Sequence, residues 1–135
     1  MAEPFKILII DDDAPILEAI TDLLKAAGYQ AFAGLGGARG LHLARTERPD
    51  LILVDYHMPE MNGVAVAERL KADEATRRIP VVALTSSTAE DAKKLLEAGC
   101  IGFIPKPFEA GTLPGLIGEF LRATVARKSG PDQYR

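Results

Sequence analysis

Residues 51–63 read LILVDYHMPEMNG: an apolar run, Leu51 to Val54, stops at Asp55 and gives way to a loop rich in turn formers. A run of that length and composition reads as a buried strand. The same punctuation recurs along the chain. Ile7 to Ile10 runs into Asp11, Asp12 and Asp13; Val81 to Leu84 stops at Thr85; Ile101 to Ile104 stops just short of Lys106. Strand-like segments begin near Ile7, Tyr29, Leu51, Val81 and Ile101, each followed by a helix-like segment. Five such units predict an α/β fold, a five-stranded parallel sheet with helices on both faces. Parallel strands share one carboxyl edge, where open α/β sheets place their ligand sites. Asp11, Asp12, Asp55, Thr85 and Lys106 are therefore predicted to meet in one cleft.

The helices differ in clarity. Asp13 can cap the first, Pro15 sits in its first turn, and Ile16, Leu17, Ile20, Leu23, Leu24 and Ala27 share a face before Gly28 ends it. In the fourth, Ser87 and Glu90 match a capping box, Ala92, Leu95 and Leu96 are expected to face the sheet, and Gly99 closes it. Gly36, Gly37 and Gly40 crowd the start of the second. Pro114, Gly115 and Gly118 interrupt the fifth, although Leu113, Leu116, Ile117, Phe120 and Leu121 keep helical spacing. Each interior glycine costs a helix about 1 kcal/mol relative to alanine. Packing, not propensity, must hold these two helices.

At 135 residues the chain suits one domain, placed at 5–125, with a polar tail at 126–135 expected to be disordered. Its 47% hydrophobic content supports a core, and the net charge of −3 argues against sequence-independent nucleic-acid binding. Cys100 is the single cysteine, which excludes an internal disulfide and leaves a buried filler near the last strand. Met1 to Lys6 lacks the apolar core of a secretory signal, and no run approaches the roughly 18 residues that span a bilayer. A cytoplasmic protein without membrane contact is expected.

The cleft's charges set its chemistry. Asp11, Asp12 and Asp55 would place three carboxylates close together, and such a group must protonate or recruit a cation. A hard divalent ion with oxygen ligands suits them, and Mg²⁺ is favoured because it keeps waters that a phosphate can replace. Three carboxylates, one Mg²⁺ and Lys106 sum to zero charge. Such a cleft is ready for a phosphoryl group, with Lys106 and Thr85 as donors to its oxygens and Asp55 as the nucleophile.

ILIIDDD, LILVDYHMPEMNG, VVALTSS and GFIPKPF, in this order and at these spacings, resemble the response-regulator receiver domain of two-component signalling over roughly residues 5 to 125. The resemblance implies a doubly wound, flavodoxin-like sheet of order 2-1-3-4-5. It implies that Asp55 accepts a phosphoryl group from the phosphohistidine of a sensor histidine kinase or a histidine phosphotransfer protein. Asp12 would be the direct Mg²⁺ ligand, Asp11 its water-bridged companion, and the backbone carbonyl of His57 a third protein ligand. Lys106 would pair with the phosphoryl group, and its bond to Pro107 would be cis. Thr85 and Phe103 would be the switch pair, the hydroxyl moving to the phosphate and the ring turning inward. The face of the fourth helix, fifth strand and fifth helix would then change for a partner. Phe103 lacks the hydroxyl of members that carry tyrosine there, so an output needing that group is in doubt.

Several of these residues admit a second reading. Asp13 is a helix cap. Phe103 serves as core or as switch. His57 contributes its backbone alone, or its ring acts with Ser87 to control water access and phosphate lifetime. GLGGARG, residues 34–40, is not a dinucleotide loop: it follows the second strand, and Arg39 stands where a glycine is needed. The chain is thus expected to be a phosphorylation-dependent switch that catalyses only its own phosphorylation and dephosphorylation. The alternatives are the receiver of a hybrid kinase or phosphorelay, a phosphorylation-independent binding module, and a Mg²⁺-dependent hydrolase, which would want an acid where His57 stands.

Overall fold

In the computed structural model, which describes residues 4–85 and 89–129, five parallel strands form one sheet. They are β1 (Lys6–Asp11), β2 (Gln30–Leu35), β3 (Leu51–Asp55), β4 (Val81–Thr85) and β5 (Gly102–Pro105), in the order β2-β1-β3-β4-β5. The helices are α1 (Ala14–Ala26), α2 (Gly37–Glu47), α3 (Gly63–Ala72), α4 (Ala89–Glu97) and α5 (Leu113–Ser129), the last preceded by a 3₁₀ turn at Ala110–Thr112. None of the described helices is long and apolar enough to cross a membrane.

Strand alternation splits the core in two. Ile7, Ile9, Leu51, Leu53, Val82, Leu84 and Ile104 face α1 and α5, where Leu17, Leu24, Leu113, Ile117 and Leu121 meet them. Leu8, Ile10, Ile52, Val54, Val81 and Ala83 face Ala44, Val66, Leu70 and Leu95 of α2, α3 and α4. Both sheet faces are covered, which is why the strands read as unbroken apolar runs.

The strong helix signals work as expected. Asp13 Oδ1 accepts the Ile16 amide at 3.2 Å, and Gly28 takes the positive φ of 98° that ends the α1 segment. Several outward residues depart from expectation. Ile16 is 41% and Leu96 49% exposed, and Ala27 is exposed as well. An apolar stripe at helical spacing does not say which of its flanks reaches the sheet. The second strand begins at Gln30 rather than Tyr29, and the fifth at Gly102, beyond a buried Cys100. The Ser87 cap lies outside the described residues. Helix α5 continues to Ser129, so residues 126–129 are helix rather than tail, and residues 130–135 lie outside the description.

Packing accounts for the glycines of α2. A Cβ on Gly40 would lie 2.5–2.7 Å from three side-chain atoms of Ile10, and one on Gly37 would lie 2.9 Å from Met61 Sδ. Helix α2 rides against β1 at a separation that only glycine permits.

Candidate functional site

Register brings the predicted residues to one edge. Ile10 pairs with Val54, so Asp11 and Asp55 leave adjacent strands at the same level. Asp55 pairs with Leu84 and Thr85 with Pro105, which steps the edge across to Lys106. The chain leaves β1 for β2 on one side and returns to β3 on the other. Asp11 and Asp55 flank that topological switch point, the place where an open sheet leaves a crevice.

The five residues converge. Lys106 Nζ donates to Asp55 Oδ1 at 2.6 Å, with the carboxylate side chain 7% exposed and the lysine 29%. Carboxylate oxygens of Asp11, Asp12 and Asp55 lie within 4.8 Å of one another. Thr85 is buried at the end of β4, and its carbonyl accepts the Lys106 amide at 2.8 Å. The Lys106–Pro107 peptide is cis. Phe103, by contrast, is 40% exposed on β5, so its ring stands outward and is not core. His57 is exposed at the cleft rim, where its ring meets the Tyr56 ring edge-on at a centroid distance of 4.6 Å.

Two local devices hold the acidic group. Asp11 Oδ1 accepts the Asp13 amide at 3.1 Å, leaving Oδ2 buried with no hydrogen-bond partner among the described residues. Beyond Asp55 the chain folds back through a left-handed Glu60, φ 68°, and Asn62 caps α3 by accepting the Ala65 amide at 2.9 Å. The Gly63 amide then donates to the Tyr56 carbonyl at 2.9 Å. A Cβ on Gly63 would sit 2.9 Å from the Asp55 carbonyl oxygen. The MPEMNG segment is thus a return path that presses α3 against the backbone of Asp55.

Burial, and then the charge of Asp55, push Asp11 up to about 6. A buried carboxylate oxygen without a partner beside two further carboxylates is a donor set that suits a hard divalent cation. Beside it a mainly apolar hollow of about 410 Å³, lined by Ile16, Ala19, Ile20, Leu84, Pro107 and Phe108, opens next to Asp11 and Lys106. The periodicity of α1 hid this hollow by counting Ile16 as buried. It also gave no sign that the Tyr56 hydroxyl donates to Asp91 Oδ1 at 3.1 Å.

An acidic crevice with a bonded lysine at the switch point of a doubly wound sheet defines a class of α/β domains built to bind a cation and a ligand there. The family model of the response regulator receiver domain matches residues 7–117, and the chain belongs to that family. It is 37% identical over 119 residues to the polar-differentiation response regulator DivK of Brucella anthropi, covering 87% of this chain and 97% of that one. It is 40% identical over 119 residues to the phosphate regulon transcriptional regulatory protein PhoB of Pseudomonas aeruginosa, covering 87% of this chain but only 52% of that one. Among solved structures, the chemotaxis protein CheY4 of Vibrio cholerae superposes with a TM-score of 0.81 at 27% identity, covering 86% of this chain and 98% of that one. The receiver domain of a Pseudomonas aeruginosa sensor histidine kinase, with a magnesium ion coordinated in its active-site cleft, gives 0.78 at 27% identity, covering 88% and 98%. The chain is a phosphorylation-dependent signalling switch.

Proposed function

We propose that Asp55 is the phosphoryl acceptor, that Mg²⁺ is held by Asp11, Asp12, Asp55 and the His57 carbonyl, and that the donor is a phosphohistidine on a cytoplasmic sensor kinase or phosphotransfer protein. The observation that carries this reading is the Lys106–Asp55 ion pair beside the orphaned Asp11 oxygen. When bound, the metal supplies charge neutralisation for phosphoryl oxygens. An Asp55 carboxylate oxygen attacks phosphorus; the new O–P bond forms as the N–P bond breaks, and the imidazole leaves with the electron pair. Lys106 stabilises charge on the transferred oxygens, and Thr85 donates to one of them. Dephosphorylation returns the group to water, catalysed by the same residues.

Phosphorylation adds about one negative charge to a site whose lysine is already engaged. Lys106 and Thr85 reorient toward the phosphoryl oxygens, and Phe103 turns from its outward position into the space behind Thr85. The face of α4, β5 and α5, on which Leu96 and Phe103 now stand exposed, changes for an output partner. The apolar hollow beside Lys106 supports a protein donor, since it gives a docking surface within reach of Asp55. Incubation with Mg²⁺ and acetyl phosphate should add one phosphoryl mass to the wild type and none to Asp55→Asn. A wild type that gains no mass would point to a binding module that has kept the fold alone.

A further inference from the structure

Tyr56 follows Asp55 directly, and its side chain leaves the cleft for another element. Its hydroxyl donates at 3.1 Å to Oδ1 of Asp91, in the first turn of α4 and 35 residues on. The Tyr56 backbone is fixed at both ends: its amide donates to the Leu84 carbonyl at 3.0 Å, and its carbonyl accepts the Gly63 amide at 2.9 Å. The ring also buttresses His57 at an interplanar angle of 62°. One half-buried side chain thus joins the loop that carries Asp55 to a helix of the output face. Phe103 is exposed in the same structure, and on the reading proposed above an exposed ring marks the resting arrangement.

We propose that the Tyr56–Asp91 hydrogen bond is a brake on the switch, tying α4 to the Asp55 loop and favouring the resting state by a route separate from Thr85. This inference rests on the phosphorylation reading above. A contact made in one state and weakened in the other biases their populations by its differential strength. For a hydrogen bond to a carboxylate at a half-exposed position, the bias is about five- to tenfold. Tyr56 and Asp91 act through α4 and through His57, so they are positioning residues and not catalytic ones.

Three variants test the brake. Tyr56→Phe removes only the hydroxyl and keeps the ring on His57; Asp91→Ala removes the acceptor; Asp91→Asn keeps an acceptor oxygen. Phosphorylation by acetyl phosphate in Mg²⁺ and backbone amide exchange across residues 89–97 are read for each. Tyr56→Phe and Asp91→Ala should each raise the phosphorylation rate about fivefold and speed α4 exchange, with Asp91→Asn staying within about twofold of wild type. Tyr56→Phe within twofold of a wild type that does phosphorylate overturns the brake alone, as does Asp91→Asn matching Asp91→Ala. A wild type that takes up no phosphoryl group overturns the switch and the brake together.

Discussion

Lys106 Nζ and Asp55 Oδ1 meet at 2.6 Å across 51 residues of sequence, joining the end of β3 to the loop after β5. The pair keeps the Asp55 oxygen desolvated but partnered; on the reading proposed above, it also places a cation where transferred oxygens would gather charge. Lys106→Met retains the aliphatic stem and removes the ammonium. Without divalent metal the variant should lose about 1–3 kcal/mol of stability, because Asp55 is left buried among carboxylates. Its initial phosphorylation rate should fall about ten- to a hundredfold, as for loss of one preorganised donor. Urea unfolding in EDTA and a mass-spectrometric time course measure the two effects. A rate within twofold of wild type would remove Lys106 from the chemistry.

Burial gives the Asp11 carboxylate a stability cost that, on the reading proposed above, a bound divalent cation would offset. Its carboxyl is raised from 3.8 to about 6, so the folded state binds that proton more tightly than the unfolded chain does. The sign follows: this group's contribution to stability declines as pH rises from about 4 to about 6 and stays low above that. Asp11→Asn keeps an oxygen for the Asp13 amide and removes the charge. In EDTA the variant should match wild type near pH 4 and exceed it by about 3 kcal/mol well above pH 6. It should also bind Mg²⁺ at least tenfold more weakly, and wild-type Mg²⁺ affinity should decline below pH 6 as Asp11 protonates. Melting curves and calorimetric titration at pH 5 and 7.5 decide the matter; a variant less stable than wild type at pH 7.5 in EDTA contradicts the assignment.

On the reading proposed above, Thr85 couples phosphoryl uptake to switching, and the two should separate when its hydroxyl is lost. Thr85→Ala would remove one donor to the phosphoryl group but leave Asp55, Lys106 and the acidic group in place. We expect phosphorylation to persist within about tenfold of wild type, with the Phe103 ring remaining exposed. Aromatic NMR signals of Phe103, followed while a beryllofluoride mimic is added, report the ring directly. An inward shift in Thr85→Ala equal to that in wild type would break the link between the two residues.

The glycines of two helices should respond oppositely to the same substitution. Gly40→Ala drives a methyl into Ile10 at 2.5–2.7 Å, whereas a Cβ on Gly115 of α5 meets nothing within 4 Å. Overpacking costs about 1–3 kcal/mol and outweighs the roughly 1 kcal/mol gained in helix propensity, so Gly40→Ala should destabilise. Gly115→Ala should stabilise by about 0.5–1 kcal/mol. Thermal melts of the two variants side by side give the comparison.

Sequence reading succeeded where one residue type had one physical use. Continuous apolar runs mark strands covered on both faces, Asp13 marks a cap, and carboxylates at the ends of parallel strands mark a shared edge. It failed where a choice depended on neighbours far along the chain. Ile16 and Leu96 carry the right periodicity, yet they lie on the flanks of their helices and stand open to solvent. Phe103 is apolar within a strand, but β5 is an edge strand and its outer side is not covered at that position.

Local residue chemistry was enough to set the elements, their α/β alternation and the list Asp11, Asp12, Asp55, Thr85 and Lys106, because burial and capping act within a few residues. Strand register and the close approach of α2 decided the rest: that the Lys106 ammonium lands on Asp55, that one Asp11 oxygen is spent on the loop while the other is stranded, and that Tyr56 reaches Asp91. Those pairings depend on distances of a few tenths of an ångström between segments far apart in the chain. Only packing of the whole sheet sets such distances.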